Sequence, residues 1–267
     1  MLALSEGIRR EPEIEELIAR IDGGLCPLVL SGLENIHKAH VAATLRRLLR
    51  KQVIIICSDE LEMNRMANDI SSLTEEQCHT LTAREFTFYN AEGVSRTVEQ
   101  ERIKTLYEMA TGRASVVVTT PDALMQRSVP GQRLMSAQLT LKLGMEIKLS
   151  ETAERLVASG YRRSEQVEGV GQFAIHGGIL DFYSPALPNP VRCELFGDEI
   201  DSMGIFDIST QRRIENITSA DILPVAESLA GLYDGGEEGL LDELIELSQK
   251  IARRKTAKKE LLETVSS

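Results

Sequence analysis

The chain has 267 residues, 42% hydrophobic and 27% charged, enough apolar material for a core and a length that suits two domains, or one domain with an insertion. With no run of 18 apolar residues, and no basic-then-apolar leader in MLALSEGIRREPEIEELIAR, neither a membrane helix nor a signal peptide is expected. A net charge of −11 works against tight nucleic-acid binding, which needs many phosphate-neutralising cations. The scattered cysteines (Cys26, Cys57, Cys78, Cys193) form no CxxC pair. They read as reduced, mostly buried thiols in a cytoplasmic protein and not as a zinc site.

In chain order, Ile14, Leu17, Ile18 and Ile21 recur at helical spacing, with Pro12 near the start where its missing N–H does no harm. Leu28-Val29-Leu30 reads as a short buried strand ending at Ser31-Gly32. A helix is expected from Asn35 to Arg50, and Val53-Ile54-Ile55-Ile56-Cys57 reads as a second buried strand. Another helix follows from Glu60 to Leu73, then a strand at Phe86-Thr87-Phe88-Tyr89, a helix from Val98 to Ala110, and a strand at Ser115–Thr119. Pro121 opens a short helix. Continuous, largely β-branched strands separated by helices predict an α/β domain whose parallel sheet is covered on both faces. The linker Ser128-Val129-Pro130-Gly131 ends that pattern, and the domain is assigned to residues 1–133.

Residues 134–224 follow a different rule. A helix is expected from Thr152 to Ser159. Val191, Cys193 and Leu195 alternate with Arg192, Glu194 and Phe196, the period of a strand with one buried face. Gly197-Asp198 suits a type II′ turn, and the chain returns through Ile200, Met203, Ile205 and Phe206. A second hairpin is expected around Gly177-Gly178, while the prolines at 185, 188 and 190 mark a loop because each lacks a ladder donor. These features predict a small antiparallel α+β domain inserted into the chain. After Asp234-Gly235-Gly236 a helical pattern runs through Leu240, Leu241, Leu244, Ile245, Leu247 and Ile251.

The ordered succession Gly160-Tyr161-Arg162, Gly177-Gly178, Ile179-Leu180-Asp181, an aromatic pair, a proline-bounded loop, Arg192-Cys193-Glu194-Leu195-Phe196, Gly197-Asp198-Glu199-Ile200 and Phe206-Asp207 resembles a known domain. It is the second domain shared by the excision-repair protein UvrB and the amino-terminal module of the bacterial transcription-repair coupling factors, the Mfd family. The closing Ser209-Thr210-Gln211-Arg212-Arg213 and Ile222-Leu223-Pro224 are more similar to the coupling factors than to UvrB. The resemblance implies a degenerate P-loop-like domain at 1–133, a UvrA-docking domain at 134–224, and a helical return segment at 225–267 that belongs to a truncated part of the first domain. The chain is accordingly expected to be an isolated piece of a longer protein.

A P-loop requires G-x-x-x-x-G-K-[ST] between a strand and a helix. Here Gly32 and Lys38 hold their places, but His37 replaces the second glycine and Ala39 the hydroxyl residue. A side chain at the glycine position obstructs the backbone cradle for phosphate, and alanine offers Mg²⁺ no oxygen. Val118-Thr119-Thr120-Pro121-Asp122 supplies no acidic pair for the metal either. Gly32, His37, Lys38 and Ala39 are therefore expected to be remnants of a nucleotide site that binds no cofactor.

For partner binding, the resemblance implies arginines and neighbouring apolar residues on the sheet of the second domain. By position these are Arg162, Arg163, Phe173 as an apolar anchor, and His176, which stands where the family commonly has arginine. A neutral imidazole cannot make the bidentate contact that guanidinium makes with a carboxylate. His37 and His40, i,i+3 on one helix, lack a third metal ligand nearby; Asp198, Glu199 and Asp201 read as solvated hairpin charges, not as acid–base groups. The cations Arg253, Arg254, Lys255, Lys258 and Lys259 read as the charged end of a solvated helix.

The resemblance thus implies a non-catalytic module that recruits UvrA to stalled RNA polymerase in nucleotide excision repair, in the cytoplasm and away from membranes. ATP and Mg²⁺, and contacts with RNA polymerase and DNA, are implied for the motor and other domains of a full-length ATP-dependent DNA translocase. Two alternatives stay open: a UvrB-like nucleotide-dependent repair subunit, and a structural clamp that braces motor domains.

Overall fold

The computed structural model describes residues 11–74, 78–84, 96–233 and 235–251, and the chain divides into two compact units, Met1–Ser136 and Ala137–Ser267. The first unit mixes helices with a parallel sheet; the second is built around antiparallel strands.

In the first unit, helix α1 (Pro12–Asp22) starts on its proline and buries Ile14 and Leu17 against Val41 of α2 (Asn35–Leu49). Strand β1 (Val53–Ile56), helix α3 (Glu60–Thr74), strand β2 (His79–Leu81), helix α4 (Thr97–Ala110) and strand β3 (Val116–Thr119) follow. All three strands are parallel, in the spatial order β1-β3-β2. Val116 and Val118 of β3 pack with Ala39, Met63, Met66 and Ile70 from α2 and α3, while Val117 meets Leu106 and Met109 of α4 on the other face. Thr120 then caps α5 (Pro121–Met125), its hydroxyl accepting from the Ala123 amide, and α6 (Gly131–Ala137) ends the unit.

Three sequence expectations for this unit are corrected or displaced. Leu28-Val29-Leu30 is not a strand: it runs as irregular chain with Val29 92% exposed. An apolar run becomes a strand only when a neighbour takes its backbone N–H and C=O groups, and β1 pairs solely with β3 among the described residues. Strand β1, at the end of the strand order among the described residues, is also covered on one face only: Val53 and Ile55 pack on the core, while Ile54 and Ile56 are 48% and 58% exposed. The expected strand Phe86–Tyr89 lies outside the described residues, and the described strand between α3 and α4 is the shorter His79–Leu81.

The second unit opens with β4 (Leu139–Lys142), which pairs antiparallel with a strand far along the chain, β11 (Ser219–Ile222). Helix α7 (Leu149–Ala158) comes next, then β5 (Arg162–Arg163), β6 (Gln172–His176), β7 (Ile179–Phe182), β8 (Val191–Phe196), β9 (Glu199–Phe206) and β10 (Arg213–Asn216). These six form one sheet in the order β10-β9-β8-β7-β6-β5, antiparallel except for the parallel β5–β6 pair. The inner face carries Phe173, Leu180, Phe182, Cys193 and Met203, which pack on Leu156 of α7 and on Leu141 and Ile222 of the β4–β11 pair. Tyr161 joins that core and donates its hydroxyl to the Leu223 carbonyl at 2.8 Å, tying the start of β5 to the chain after β11. Helix α8 (Gly236–Ile251) closes the described chain.

Both hairpins follow from their glycines. Gly197 has φ +64° and Asp198 is not left-handed, as a type II′ turn requires, and Gly177 turns β6 into β7 with φ +59°. On the outer face, Arg192 lies between β7 and β9 and grips Asp181 with two hydrogen bonds, Nε to Oδ1 at 2.8 Å and Nη2 to Oδ2 at 2.7 Å. The guanidinium also lies over the Phe206 ring, 4.7 Å from its centroid. The Asp181 side chain is 7% exposed and Arg192 26%. Removing one partner of a buried pair strands the other charge, a loss of 3–5 kcal/mol at full burial, so Asp181→Ala should lower stability in urea titration by about 3 kcal/mol at this partial exposure. Glu151→Ala, which breaks an exposed contact to Lys148, should cost less than about 1 kcal/mol.

Candidate functional site

The alternation of β-strands sorts the sheet's residues by face. Since Phe173 and Ile175 point to the inner core, Gln172, Ala174 and His176 lie on the outer face of β6. Arg162 pairs with Gln172 and therefore shares that outer face, whereas Arg163 pairs with Phe173 and faces the other way. His176 pairs with Ile179, Ile179 with Glu194, and Glu194 with Ser202, one row of side chains across four strands. The structure thus brings Arg162 and His176 to one face at one edge of the sheet, with Arg163 exposed at the same edge.

Phe173 does not join them. Its side chain is 0% exposed within the inner core, so it backs the strand and offers nothing to a partner. A strand phenylalanine with an apolar residue two positions on, Ile175, belongs to the buried set of its strand, and here packing against Leu156 decided the matter. The exposed aromatic is Phe196, at the end of β8, which stands 83% exposed. The alternation of Val191, Cys193 and Leu195 with Arg192, Glu194 and Phe196 is the sequence signal that places it in the outward set.

The outer face is only partly open. Val167, from the segment between β5 and β6, is fully buried against Ala174 and Phe206, so this segment folds over the middle of the sheet. It is held by Gln172, whose Oε1 accepts from the Glu168 amide at 2.9 Å, and by His176 Nε2, which meets the Glu165 carbonyl. Exposed His176 therefore has a structural contact as well as a surface position. At the other edge Arg213 reaches Glu194 and Ser202 at 2.8 and 2.7 Å, fastening β10 to this face. The turn before β10 is built by Asp207, whose carboxylate accepts from the Thr210 amide at 2.8 Å and its hydroxyl at 2.9 Å.

At the start of α2, Gly32 is left-handed with φ +79°. Glu34 and His37 form a reciprocal capping box, with the Glu34 carboxylate against the His37 amide and the Glu34 amide donating to His37 Nδ1 at 3.4 Å. Lys38 turns to Asn35 Oδ1 at 2.9 Å, and Ala39 is buried in the core beneath the helix. The helix N-terminus thus meets a carboxylate of its own chain. His37 and His40 are joined by no third ligand that would make a metal group among the described residues. Burial pushes the thiols of Cys78 and Cys193 up to about 12, so both are protonated at neutral pH, while Cys26 is exposed. Asp198, Glu199 and Asp201 are exposed around the β8–β9 hairpin, and the cations at 253–259 lie outside the described residues.

Residues 139–227 match the UvrB interaction domain family, a segment that begins at β4 and includes all six strands of the large sheet. The second unit therefore carries a UvrB interaction domain. The chain is also 29% identical over 221 residues, 82% of its length, to the transcription-repair-coupling factor of Bacillus subtilis (strain 168). It is 26% identical over 80% of its length to that of Escherichia coli (strain K12), and 31% identical over 74% to that of Myxococcus xanthus. It spans 19%, 18% and 17% of those three proteins, about a fifth of each. The chain is a UvrB-homology module similar to that of the transcription-repair coupling factors.

The Asp207 turn gives this face a pH dependence with a definite sign. Hydrogen bonds from the Thr210 amide, then from its hydroxyl, hold the Asp207 carboxyl below the usual carboxylate range. A depressed folded pKa contributes stability that is fully present above the unfolded value, about 3.9, and is lost as pH falls through the folded value. Asp207→Asn should therefore flatten the decline of stability below about pH 5, read as urea midpoints between pH 6 and pH 3. Equal slopes for parent and variant would show that the turn carries no such linkage.

Proposed function

We propose that this chain is a non-catalytic docking module that binds UvrA through the outer face and β5 edge of its second unit, as part of a transcription-repair coupling factor. The observation that carries the reading is the match of residues 139–227 to the UvrB interaction domain. The chemistry of the edge supports it: Arg162 and Arg163 are exposed on a two-residue strand, free to meet carboxylates with their bidentate forks. In the longer protein the module recruits UvrA to stalled RNA polymerase in the bacterial cytoplasm. Contacts with polymerase and DNA, and ATP-driven translocation with Mg²⁺, belong to other segments of that protein.

The first unit acts as scaffold, and its Gly32–Ala39 loop is the remnant of a nucleotide site. The Glu34–His37 capping box supports this, because a carboxylate already faces the helix N-terminus where a phosphate would sit. The buried Ala39 supplies no metal ligand. Calorimetric titration with Mg-ATP should give no saturable binding up to millimolar nucleotide. A micromolar dissociation constant would instead favour a nucleotide-dependent repair subunit.

The docking role is tested by titrating UvrA from the same organism with the parent chain and with Arg162→Glu/Arg163→Glu. Losing one partner of a buried interfacial charge pair costs about 2–5 kcal/mol, and reversing two charges adds repulsion, so association should become undetectable. The fold should persist, since exposed substitutions change stability by about 0.5 kcal/mol or less. A charge-reversed chain that stays folded by circular dichroism and binds UvrA as tightly as the parent would remove these arginines from the interface.

A further inference from the structure

We propose that Phe196 is the apolar anchor of the docking face, and that the partner receives it in an apolar socket whose rim carries lysine or arginine. This rests on the reading of the second unit as a UvrA-docking module and specifies which side chain fills the partner's pocket. The other described phenylalanines, Phe173, Phe182 and Phe206, are at most 1% exposed, whereas Phe196 is 83% exposed. Burying such a ring is favourable, and this one is left in water on a sheet with a well-filled core.

Its presentation is rigid. Phe196 pairs with Glu199 across the type II′ turn, and the preceding Leu195 amide donates to the Gly178 carbonyl at 2.8 Å. The far side of the hairpin is fastened by the Glu146–Glu199 bridge, with Ile147 N to Asp198 O at 2.8 Å and Ile200 N to Met145 O at 3.0 Å. A backbone fixed in this way need not be ordered on docking, and aromatic anchors dominate interface energies when a pocket encloses them. The neighbouring turn is Gly177-Gly178, which has no side chains to shield the ring. Leu195 and Ile200 face the inner core, so Phe196 points to the outer face shared by Arg162 and His176.

Charge identifies the kind of partner. Glu199 and Glu146 pair beside Phe196, Asp198 occupies the turn, and none of the three is in an ion pair among the described residues. Carboxylates around the ring repel phosphate and disfavour a nucleic-acid partner at this tip. They fit cationic side chains at the rim of a protein socket, while Arg162 at the β5 edge fits carboxylates. The face thus has a cationic edge, an aromatic knob and an acidic tip, a pattern that fixes orientation as well as affinity.

The test measures UvrA binding to the parent, Phe196→Ala, Phe196→Leu, Glu146→Gln/Glu199→Gln and Arg162→Glu/Arg163→Glu, each first checked for an unchanged thermal midpoint. Phe196→Ala should weaken binding at least about tenfold, as expected of an enclosed anchor, with Phe196→Leu recovering most of the loss. The glutamine pair should weaken binding at low salt and reduce its salt dependence. If the parent binds and the arginine reversal abolishes binding, but Phe196→Ala stays within twofold of the parent, the anchor is overturned and the docking reading survives. If the parent itself does not bind UvrA, the docking reading fails and the anchor fails with it.

Discussion

The fork between Arg192 and Asp181 organises the face on which the rest of the second unit depends. Two charges taken largely out of water are tolerated only when their hydrogen bonds are nearly all met, and here a planar guanidinium meets a carboxylate across adjacent strands. The pair fixes the register of β7 against β8, because a slip of one residue would carry one of the two charges to the inner face among Leu180 and Cys193 and leave the other without its partner. It also gives Phe206 a cationic plane to lie against, and Gln211 a donor for its Oε1 at 3.3 Å. Gln211 belongs to the same turn as Asp207, so the approach to β10 is tied to the middle of the sheet. With Val167 folded over that middle, the outer face is divided into a covered half and an open half, and the open half carries His176 and Phe196.

Local pattern announced what local pattern controls. The period-two alternation of Val191 to Phe196 and the glycines at 177 and 197 specified two hairpins, and the helices α1 to α4 were visible in their apolar spacing. Pairings made at long range were not. Nothing near Leu139 says that its strand pairs with Ser219–Ile222, since the partner comes some eighty residues later by loop closure rather than by a turn. Leu28–Leu30 failed in the opposite sense: the run is apolar, but no described strand receives its backbone. The short β2, with one leucine among His79, Thr80 and Leu81, has too little apolar character to stand out.

For the candidate site the same boundary holds at the scale of single side chains. Sequence order put Arg162 and His176 on the right strands, but which face each uses follows from register, and register is a property of pairs. Phe173 shows the consequence: its place in the inner core beneath α7 follows from the partners across the ladder, whereas the outward position of Phe196 was already given by the alternation of its own strand. At the nucleotide-like loop the converse is true. The departures of His37 and Ala39 from a phosphate-loop pattern were legible, yet the means by which the helix end is satisfied was not, because the capping box uses His37, which stands where such a pattern has glycine. A helix N-terminus attracts negative charge through its unpaired N–H groups, and a covalently attached carboxylate is present at far higher effective concentration than a free phosphate.

Besides the docking proposed for them, the cations on β5 meet a demand of the sheet itself. An edge strand presents unpaired N–H and C=O groups and invites another chain to extend the sheet; natural sheets counter this with short edges and charged side chains. β5 has both, being two residues long and both of them arginine. Blocking an edge requires only charge, which lysine would meet equally well, whereas recognising carboxylates favours the planar fork of arginine. The two demands are compatible because they act on different parts of the residue, the backbone edge on one hand and the guanidinium on the other. An edge built this way resists non-specific strand pairing through its shortness and charge, and the same two guanidinium groups are the ones the docking proposal requires for carboxylates.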